Sequence, residues 1–196
     1  MVATTTFAWF AVASDRSTGV LMKRSLKILS ALQGLVLLVA IGGVAKAVDC
    51  KADLPASNPD FIYADHGNGT VTDTRTGLMW KRCAEGLEGP GCLSGSAQRF
   101  NWAAAHNQAA SSVFANYSDW RVPNAKELST LVEECRFNAA INNTVFPNSP
   151  TDGACTWSSS PYFVSDLALV VCFYEGGATW DLRFGVHYVR LVREGL

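Results

Sequence analysis

Short strand-like segments separated by turns dominate the chain after residue 60. Residues 61–64, 70–72 and 78–83 are rich in apolar and β-branched positions, and glycine- and aspartate-containing turns separate them. This pattern predicts a β-meander at the start of the domain. Four further strands, the last of them apolar on both faces, are predicted near the C-terminus over residues 156–160, 167–174, 178–183 and 186–193.

A first helix is predicted between these two strand regions. Trp102, Ala105 and Ala109 recur at helical spacing directly after Asn101. Because asparagine is a strong N-cap, the helix is expected to cover residues 102–111.

A second helix is predicted where Asn124 is followed three residues later by Glu127, the spacing of a capping box. Pro123 before the cap cannot lie inside a strand ladder and keeps the preceding residue extended. The helix is expected to cover residues 125–136, with a buried stripe formed by Leu128, Leu131 and Val132.

A long loop, residues 137–153, follows this helix and is rich in asparagine and proline. Within it Ile141, Val145 and Phe146 are expected to anchor the loop onto the core. The order of strands, two helices, a long loop and more strands predicts an α+β domain.

The first part of the chain reads as a leader rather than a domain. Residues 1–21 show no core pattern and are interpreted as an upstream extension. Residues 22–47 begin with basic residues, continue as an apolar stretch and end at Ala45-Lys46-Ala47, which predicts a signal peptide cleaved near Ala47. An uncleaved membrane anchor is the alternative. Residues 48–60 would then be an N-terminal arm and residues 61–196 the domain.

The charge balance changes once this leader is set aside. Residues 48–196 contain 11 Lys and Arg against 16 Asp and Glu, a net charge of −5. Because nucleic-acid binding depends on neutralising phosphates with basic side chains, this balance argues against a nucleic-acid partner. After signal cleavage the protein is expected to be periplasmic or secreted, with no stable membrane span.

All six cysteines follow the predicted cleavage site, and an even number in an exported domain predicts disulfides. Cys83 and Cys92 flank a Gly- and Pro-rich loop, and Cys155 and Cys172 would face each other in a hairpin centred near residues 163–164. Cys50 and Cys135 remain as the third pair. A zinc site is the alternative, but no CxxC or HxxxH spacing supports it, and no metal or cofactor is expected.

Six ordered blocks of sequence resemble the C-terminal domains of Legionella-type collagen-like adhesins. The blocks are Gly69–Trp80, Asn101–Trp102, Ser118–Asn124 with Glu127–Leu128, Ala140–Asn142 with Phe146–Pro147, Trp157–Ser160 and Tyr188–Arg193. The resemblance covers residues 61–194. It implies a C-type-lectin-like fold, two helices packed on a curved antiparallel sheet with a long loop region. It also implies export and, in the adhesin members, binding of sulfated glycans at the cell surface.

Most of the conspicuous side chains in these blocks are predicted to hold the fold. They are Trp80, Trp102, Asp119, Trp120, Arg121, Pro123, Asn124, Glu127 and Trp157. Arg121 is expected to pair with a framework acid such as Asp73 or Asp119, or with a backbone carbonyl.

Four other residues are the candidate ligand-binding set. Trp180 follows two glycines in a less constrained hairpin and is the best candidate for an exposed ring that stacks on a sugar. Arg183, His187 and Arg193 are expected to share a sheet face and to form a small basic patch.

Calcium binding and catalysis find little support in the sequence. Asp65, Asn68 and Asp73 lie near a glycine turn, but their spacing is not that of a calcium loop and turn chemistry explains them. The three histidines stand alone, and Ser158–Ser160 lack a GxSxG motif. No catalytic residue is therefore predicted.

The predicted function is that of a non-catalytic exported bacterial binding domain that recognises a surface glycan or an envelope protein. Binding is expected in the 137–153 loop and the 175–187 hairpin. One alternative is a cryptic enzyme related to the sulfatase-activating (formylglycine-generating) fold, which would need free reactive cysteines. A structural subunit of an envelope assembly is the other.

Overall fold

The computed structural model describes residues 50, 51 and 53–195. The predicted upstream extension and signal peptide, residues 1–21 and 22–47, lie outside this part of the chain. Among the described residues, no helix has the length and apolar character needed to cross a membrane.

The described residues form a small α+β domain built mainly from antiparallel sheets, as predicted. In chain order the elements are β1 (Tyr63–Asp65), β2 (Thr70–Asp73), β3 (Leu78–Lys81), β4 (Leu87–Glu88), β5 (Ser94–Gly95), α1 (Trp102–Ser111), α2 (Ala125–Ser129), β6 (Thr156–Pro161), β7 (Leu167–Cys172), β8 (Gly177–Leu182) and β9 (Val192–Glu194).

Two antiparallel sheets carry most of the strands. The first has the order β1-β2-β3-β9, so the C-terminal strand pairs with the end of the N-terminal meander. Val71 lies opposite Trp80, and Trp80 lies opposite Val192 across this sheet. The second sheet has the order β6-β7-β8, and β4 pairs with β5 in a small hairpin.

The hydrophobic core has two clusters, one under each sheet. The first joins the four-stranded sheet to α2 and the long loop through Trp80, Leu128, Ile141 and Phe146, each fully buried. The second joins α1 to the three-stranded sheet, with Trp157 at its centre. The three predicted loop anchors, including Val145, are all buried, which explains how a loop without regular structure is fixed in place.

Three disulfides join the pairs expected from the sequence: Cys50–Cys135, Cys83–Cys92 and Cys155–Cys172. The last pair closes the β6–β7 hairpin, in which Pro161 lies opposite Ala168. No free cysteine remains among the described residues.

Helix α2 ends at Ser129, well short of the predicted end at residue 136. The predicted stripe is still buried at Leu128 and Leu131. Beyond them, Val132 forms a β-bridge with Ile141, and the Glu133 N–H donates to the Ala140 carbonyl. These tertiary hydrogen bonds replace the helical ones, so the prediction of a longer helix was wrong.

The bounds of two strands also differ from the prediction. Residues 60–62 form a 3-10 turn, so the first strand starts at Tyr63 rather than at residue 61. The last predicted strand, residues 186–193, is extended but enters a sheet only at Val192. The residues before Val192 form backbone hydrogen bonds with several separate segments and not with one partner strand.

Helix α2 begins with the predicted capping box. The Asn124 side chain accepts a hydrogen bond from the Glu127 N–H at 2.9 Å, and the Glu127 carboxylate accepts one from the Asn124 N–H at 2.7 Å. Both bonds satisfy backbone donors that a short helix leaves unpaired at its start.

Replacing the cap residue tests its contribution. We expect Asn124→Ala to lower the free energy of unfolding by about 1 kcal/mol, because one N-terminal backbone donor loses its acceptor. Urea unfolding followed by circular dichroism measures the change. The control is Asn107→Ala on the exposed face of α1, and an Asn124 variant as stable as the wild type would contradict the prediction.

The N-terminal arm is fixed to the domain at Glu133. This buried carboxylate accepts hydrogen bonds from the Ser57 N–H at 2.8 Å, the Ser57 hydroxyl at 2.8 Å and the Asn58 N–H at 2.9 Å. Burial alone would raise the pKa of Glu133, but the hydrogen bonds outweigh burial and lower it. A lowered pKa means that the folded protein favours the ionised form.

This arrangement predicts a pH-dependent effect of Glu133→Gln. The glutamine presents an N–H₂ to groups that donate hydrogen bonds, so the free energy of unfolding at pH 7 should fall by about 1–3 kcal/mol. A carboxylate with a lowered pKa stabilises the fold above its unfolded pKa of about 4.3 and loses this effect as the pH falls through the folded pKa.

Urea unfolding at pH 7 and pH 3 measures both parts of this prediction. The difference between Glu133→Gln and the wild type should shrink at pH 3. Glu134→Gln is the matched control, since that neighbouring side chain is exposed. A difference that is equal at both pH values would show that the carboxylate charge is not what holds the arm.

Candidate functional site

The five tryptophans of the domain separate into buried rings and one exposed ring. Trp80 and Trp157 are fully buried and Trp120 is 3% exposed. Trp102 is partly buried, and its indole N–H donates to the Ser158 carbonyl at 2.8 Å. Trp180 is 50% exposed, so it is the tryptophan of this set that is most available to a ligand.

Trp180 lies on β8, opposite Leu169 of β7. Tyr162, in the turn between β6 and β7, stacks on it with ring centroids 5.9 Å apart and an angle of 25° between the rings. Phe163 next to Tyr162 is 87% exposed. We call Tyr162, Phe163 and Trp180 the aromatic hairpin surface.

Two of the predicted basic residues are engaged in framework contacts. The Arg183 guanidinium lies 4.3 Å from the Trp102 ring centroid, and its Nε donates to the Leu167 carbonyl. His187 is buried; its Nδ1 accepts from the Cys155 N–H at 3.1 Å, which leaves Nε2–H to donate to Asp181 at 2.7 Å.

The third basic residue, Arg193, lies on β9 in the other sheet. Its guanidinium donates to both oxygens of Asp119, at 2.8 and 3.1 Å, and lies 3.9 Å from the Tyr117 ring centroid. The hydrogen bonds from Arg193 are the main cause of the lowered pKa of Asp119. Arg183, His187 and Arg193 therefore do not share one sheet face, and the expected basic patch is not formed.

Arg121 also has partners other than those predicted. It donates to both Glu127 oxygens, at 2.7 and 2.9 Å, and to Glu194 at 2.8 Å, rather than to Asp73 or Asp119. The pairing follows from the capping box, which already holds the Glu127 carboxylate beside the start of α2. Arg121 thus connects α2 to the end of β9.

Three polar side chains of the first turns accept hydrogen bonds from the backbone. The side chains of Asp65, Asn68 and Asp73 accept from the N–H groups of Gly67, Thr70 and Arg75, at 2.9 to 3.1 Å, as turn chemistry predicts. Elsewhere in the described part, donor atoms of Cys50, Glu133 and Cys135 lie within 4.8 Å of one another. The two sulfurs are bonded to each other, so they are not free as thiolate ligands.

A cleft of about 500 Å³ opens between the β1–β2 turn, the end of β3 and the loop closed by Cys83–Cys92. Phe114 and Pro147 complete its wall. We call this space the glycine-loop cleft, because Gly67, Gly69 and four glycines at positions 86 to 95 form or adjoin its edges.

The buried Lys81–Glu85 ion pair lies in the wall of this cleft. The Lys81 ammonium donates to Glu85 at 2.9 Å and to the Ser112 hydroxyl at 2.8 Å, and it lies 4.8 Å from the Phe114 ring centroid. The second Glu85 oxygen accepts from the Gln108 side chain at 2.8 Å. The side chains of Lys81 and Glu85 are only 11% and 7% exposed.

One sequence feature points to this cleft: the glycine-rich loop between Cys83 and Cys92 predicts a loop closed by a disulfide, but not a site. The sequence pattern predicts a strand at Lys81 and no element at Phe114. Only tertiary packing brings Phe114 over the Lys81 ammonium, because the β4–β5 hairpin and α1 separate the two residues in the chain.

Comparison with known proteins gives one family. A sequence model of the family described as the Lcl C-terminal domain matches residues 69–193. None of the curated proteins compared with the chain matches it.

Proposed function

The chain belongs to the Lcl C-terminal domain family, and from this premise we propose that it is an exported adhesin-like domain that recognises surface glycans through Trp180. Family membership fits a non-catalytic binding domain at a coarse level. The two helices, the antiparallel sheets and the anchored long loop support a C-type-lectin-like arrangement. Three disulfides support an oxidising destination, the periplasm or the exterior, reached by the predicted signal peptide.

The observation that carries this proposal is the exposure of Trp180 in a domain whose other four tryptophans are buried or partly buried. Leaving half of an indole in water forgoes much of the free energy that its burial would provide. The C–H groups on one side of a sugar ring form an apolar face that covers such a ring well. Tyr162 stacks on Trp180 and limits its movement, so less conformational entropy would be lost on binding.

The electrostatics favour a neutral glycan over a sulfated one. The domain has a net charge of −5 after the predicted cleavage site. Arg183, His187 and Arg193, the residues that could have bound a sulfate, are held by Leu167, Asp181 and Asp119 respectively. Polar groups at the aromatic hairpin surface include the Tyr162 hydroxyl, which can both donate and accept.

A glycan array followed by calorimetry tests the proposal, with the exported protein and with or without calcium. We expect Trp180→Ala to weaken binding of any captured glycan by about 10-fold, the upper end of the ~0.5–1.5 kcal/mol of an aromatic contact. Trp180→Phe keeps a ring and should lose less.

Phe61→Ala is the matched control, because Phe61 is 86% exposed and lies outside the aromatic hairpin surface. It should bind like the wild type. Binding by Trp180→Ala as strong as that of the wild type would show that Trp180 is not part of the binding site. An array without any captured glycan would overturn glycan recognition and leave an envelope protein as the partner.

The enzyme alternative is tested by counting thiols. The six cysteines form three disulfides, which weighs against a reaction that needs reactive thiols. Titration of the denatured, unreduced protein should therefore find no free thiol, and six after reduction. Two free thiols per chain would support the alternative of an enzyme related to the sulfatase-activating fold.

A further inference from the structure

We propose that the glycine-loop cleft is a second ligand site, which takes a neutral sugar of one or two rings, such as the free end of a glycan. The cleft is lined by residues other than those of the aromatic hairpin surface. The proposal therefore stands whether or not Trp180 contacts a glycan.

The size and the charge of the cleft define the ligand class. Its volume of about 500 Å³ falls within the range of small-molecule sites and suits one or two sugar rings. Its charged lining residues balance in number, with two cations, Lys81 and Arg82, and two anions, Glu85 and Glu88. A site without net charge offers no advantage to an anion or a cation over a neutral molecule.

The aromatic wall of the cleft is held in an unusual backbone conformation. Phe114 and Tyr117 exchange two backbone hydrogen bonds of 3.0 Å around a tight turn. The turn residues Ala115 and Asn116 both have positive φ, 51° and 67°. Alanine rarely adopts this conformation, and such strain is found preferentially at functional sites.

Gly69 is what allows Phe114 to approach the β1–β2 turn. A Cβ atom at Gly69 would lie 2.8 Å from the Phe114 Cζ, so any larger residue would displace the ring. The position of the ring therefore depends on a glycine on one side and a strained turn on the other. Phe114 remains 36% exposed, which leaves apolar surface for the face of a sugar ring.

The opposite wall is fixed before a ligand arrives. The Cys83–Cys92 disulfide closes the loop, and Asn148 donates from its side chain to the Gly91 carbonyl at 2.6 Å. At Gly86, a Cβ atom would lie 2.3 Å from the Ser96 carbonyl oxygen. A wall packed this closely needs little ordering on binding, which favours affinity for a small ligand.

The buried Lys81–Glu85 ion pair gives the wall of the cleft a polar character that the stability of the fold does not require. Removing Lys81 and Glu85 from water costs free energy, and well-packed apolar residues at such positions are often equally or more stable. At the wall of a cleft, Lys81 and Glu85 supply polar groups that can orient the hydroxyls of a sugar.

Nuclear magnetic resonance separates this site from the aromatic hairpin surface. The oxidised exported protein, labelled with ¹⁵N, is titrated with neutral methyl glycosides and disaccharides and, separately, with sulfated and sialylated sugars. We expect at least one sugar to shift the backbone amides of Gly69, Gly86 and Gly91 saturably, also in Trp180→Ala. Shifts confined to the Trp180 indole would overturn the second site and leave the proposed function intact.

A rim variant and a wall variant test the cleft itself. Glu88 is exposed at the rim, so Glu88→Trp should narrow the opening and abolish the saturable shifts without unfolding the protein. Glu134→Trp, an exposed change outside the cleft, is the control and should bind like the wild type. Phe114→Ala should weaken binding about 5-fold through the lost ring contact.

Thermal unfolding shows that each variant is folded before its binding is measured. Unchanged binding by a folded Glu88→Trp protein would overturn the proposal. So would cleft shifts produced only by sulfated or sialylated sugars, because the ligand would then be an anion.

Discussion

The extended segment of residues 187–194 is the constraint on which the rest of the domain depends. Its backbone bonds to Phe100, Cys155 and Trp157 on one side of the molecule and to Lys81, Glu85 and Arg121 on the other. Val189, Leu191 and Val192 within it are fully buried. The segment therefore links β3 of the four-stranded sheet to β6 of the three-stranded sheet through backbone hydrogen bonds. Both candidate sites are held by it, the cleft through Lys81 and Glu85 and the hairpin through Trp157.

The charged side chains of this segment form contacts within the domain. Arg193 is bound by Asp119, and Glu194 accepts from Arg121, which also holds Glu127 at the start of α2. Arg190 is 2% exposed; its guanidinium donates to the carbonyls of Lys81 and Arg82 and to the Ser149 hydroxyl, and lies over the Phe146 ring. Burial lowers the pKa of Arg190 to about 10, so it remains charged at neutral pH. Arg121, Arg190 and Arg193 are therefore engaged in contacts within the domain.

Local chemistry explains which features could be predicted from the sequence. The capping box of α2, the turns at Asp65, Asn68 and Asp73, and the Cys155–Cys172 hairpin depend on residues close together in the chain, and each is present. The features that could not be predicted depend on tertiary packing rather than on local sequence chemistry. The end of α2 depends on the bridge from Val132 to Ile141, and the position of Arg193 depends on a strand far away in sequence. The cleft could not be predicted for the same reason, since its walls come from four separate segments.

Two of the three disulfides lie beside the candidate sites, and their loop lengths indicate what they contribute. The chain-entropy relation gives about 2.6 kcal/mol for a loop of the length closed by Cys83–Cys92 and about 4.6 kcal/mol for that of Cys50–Cys135. These loops span sequence separations of 9 and 85. The long-range disulfide, which ties the N-terminal arm beside Glu133, is therefore the better global stabiliser. The short one restricts the loop that forms a wall of the cleft, and Cys155–Cys172 does the same for the hairpin that carries Tyr162. Both bonds restrict loops beside the candidate sites, which lowers the conformational entropy that would be lost if a ligand bound there.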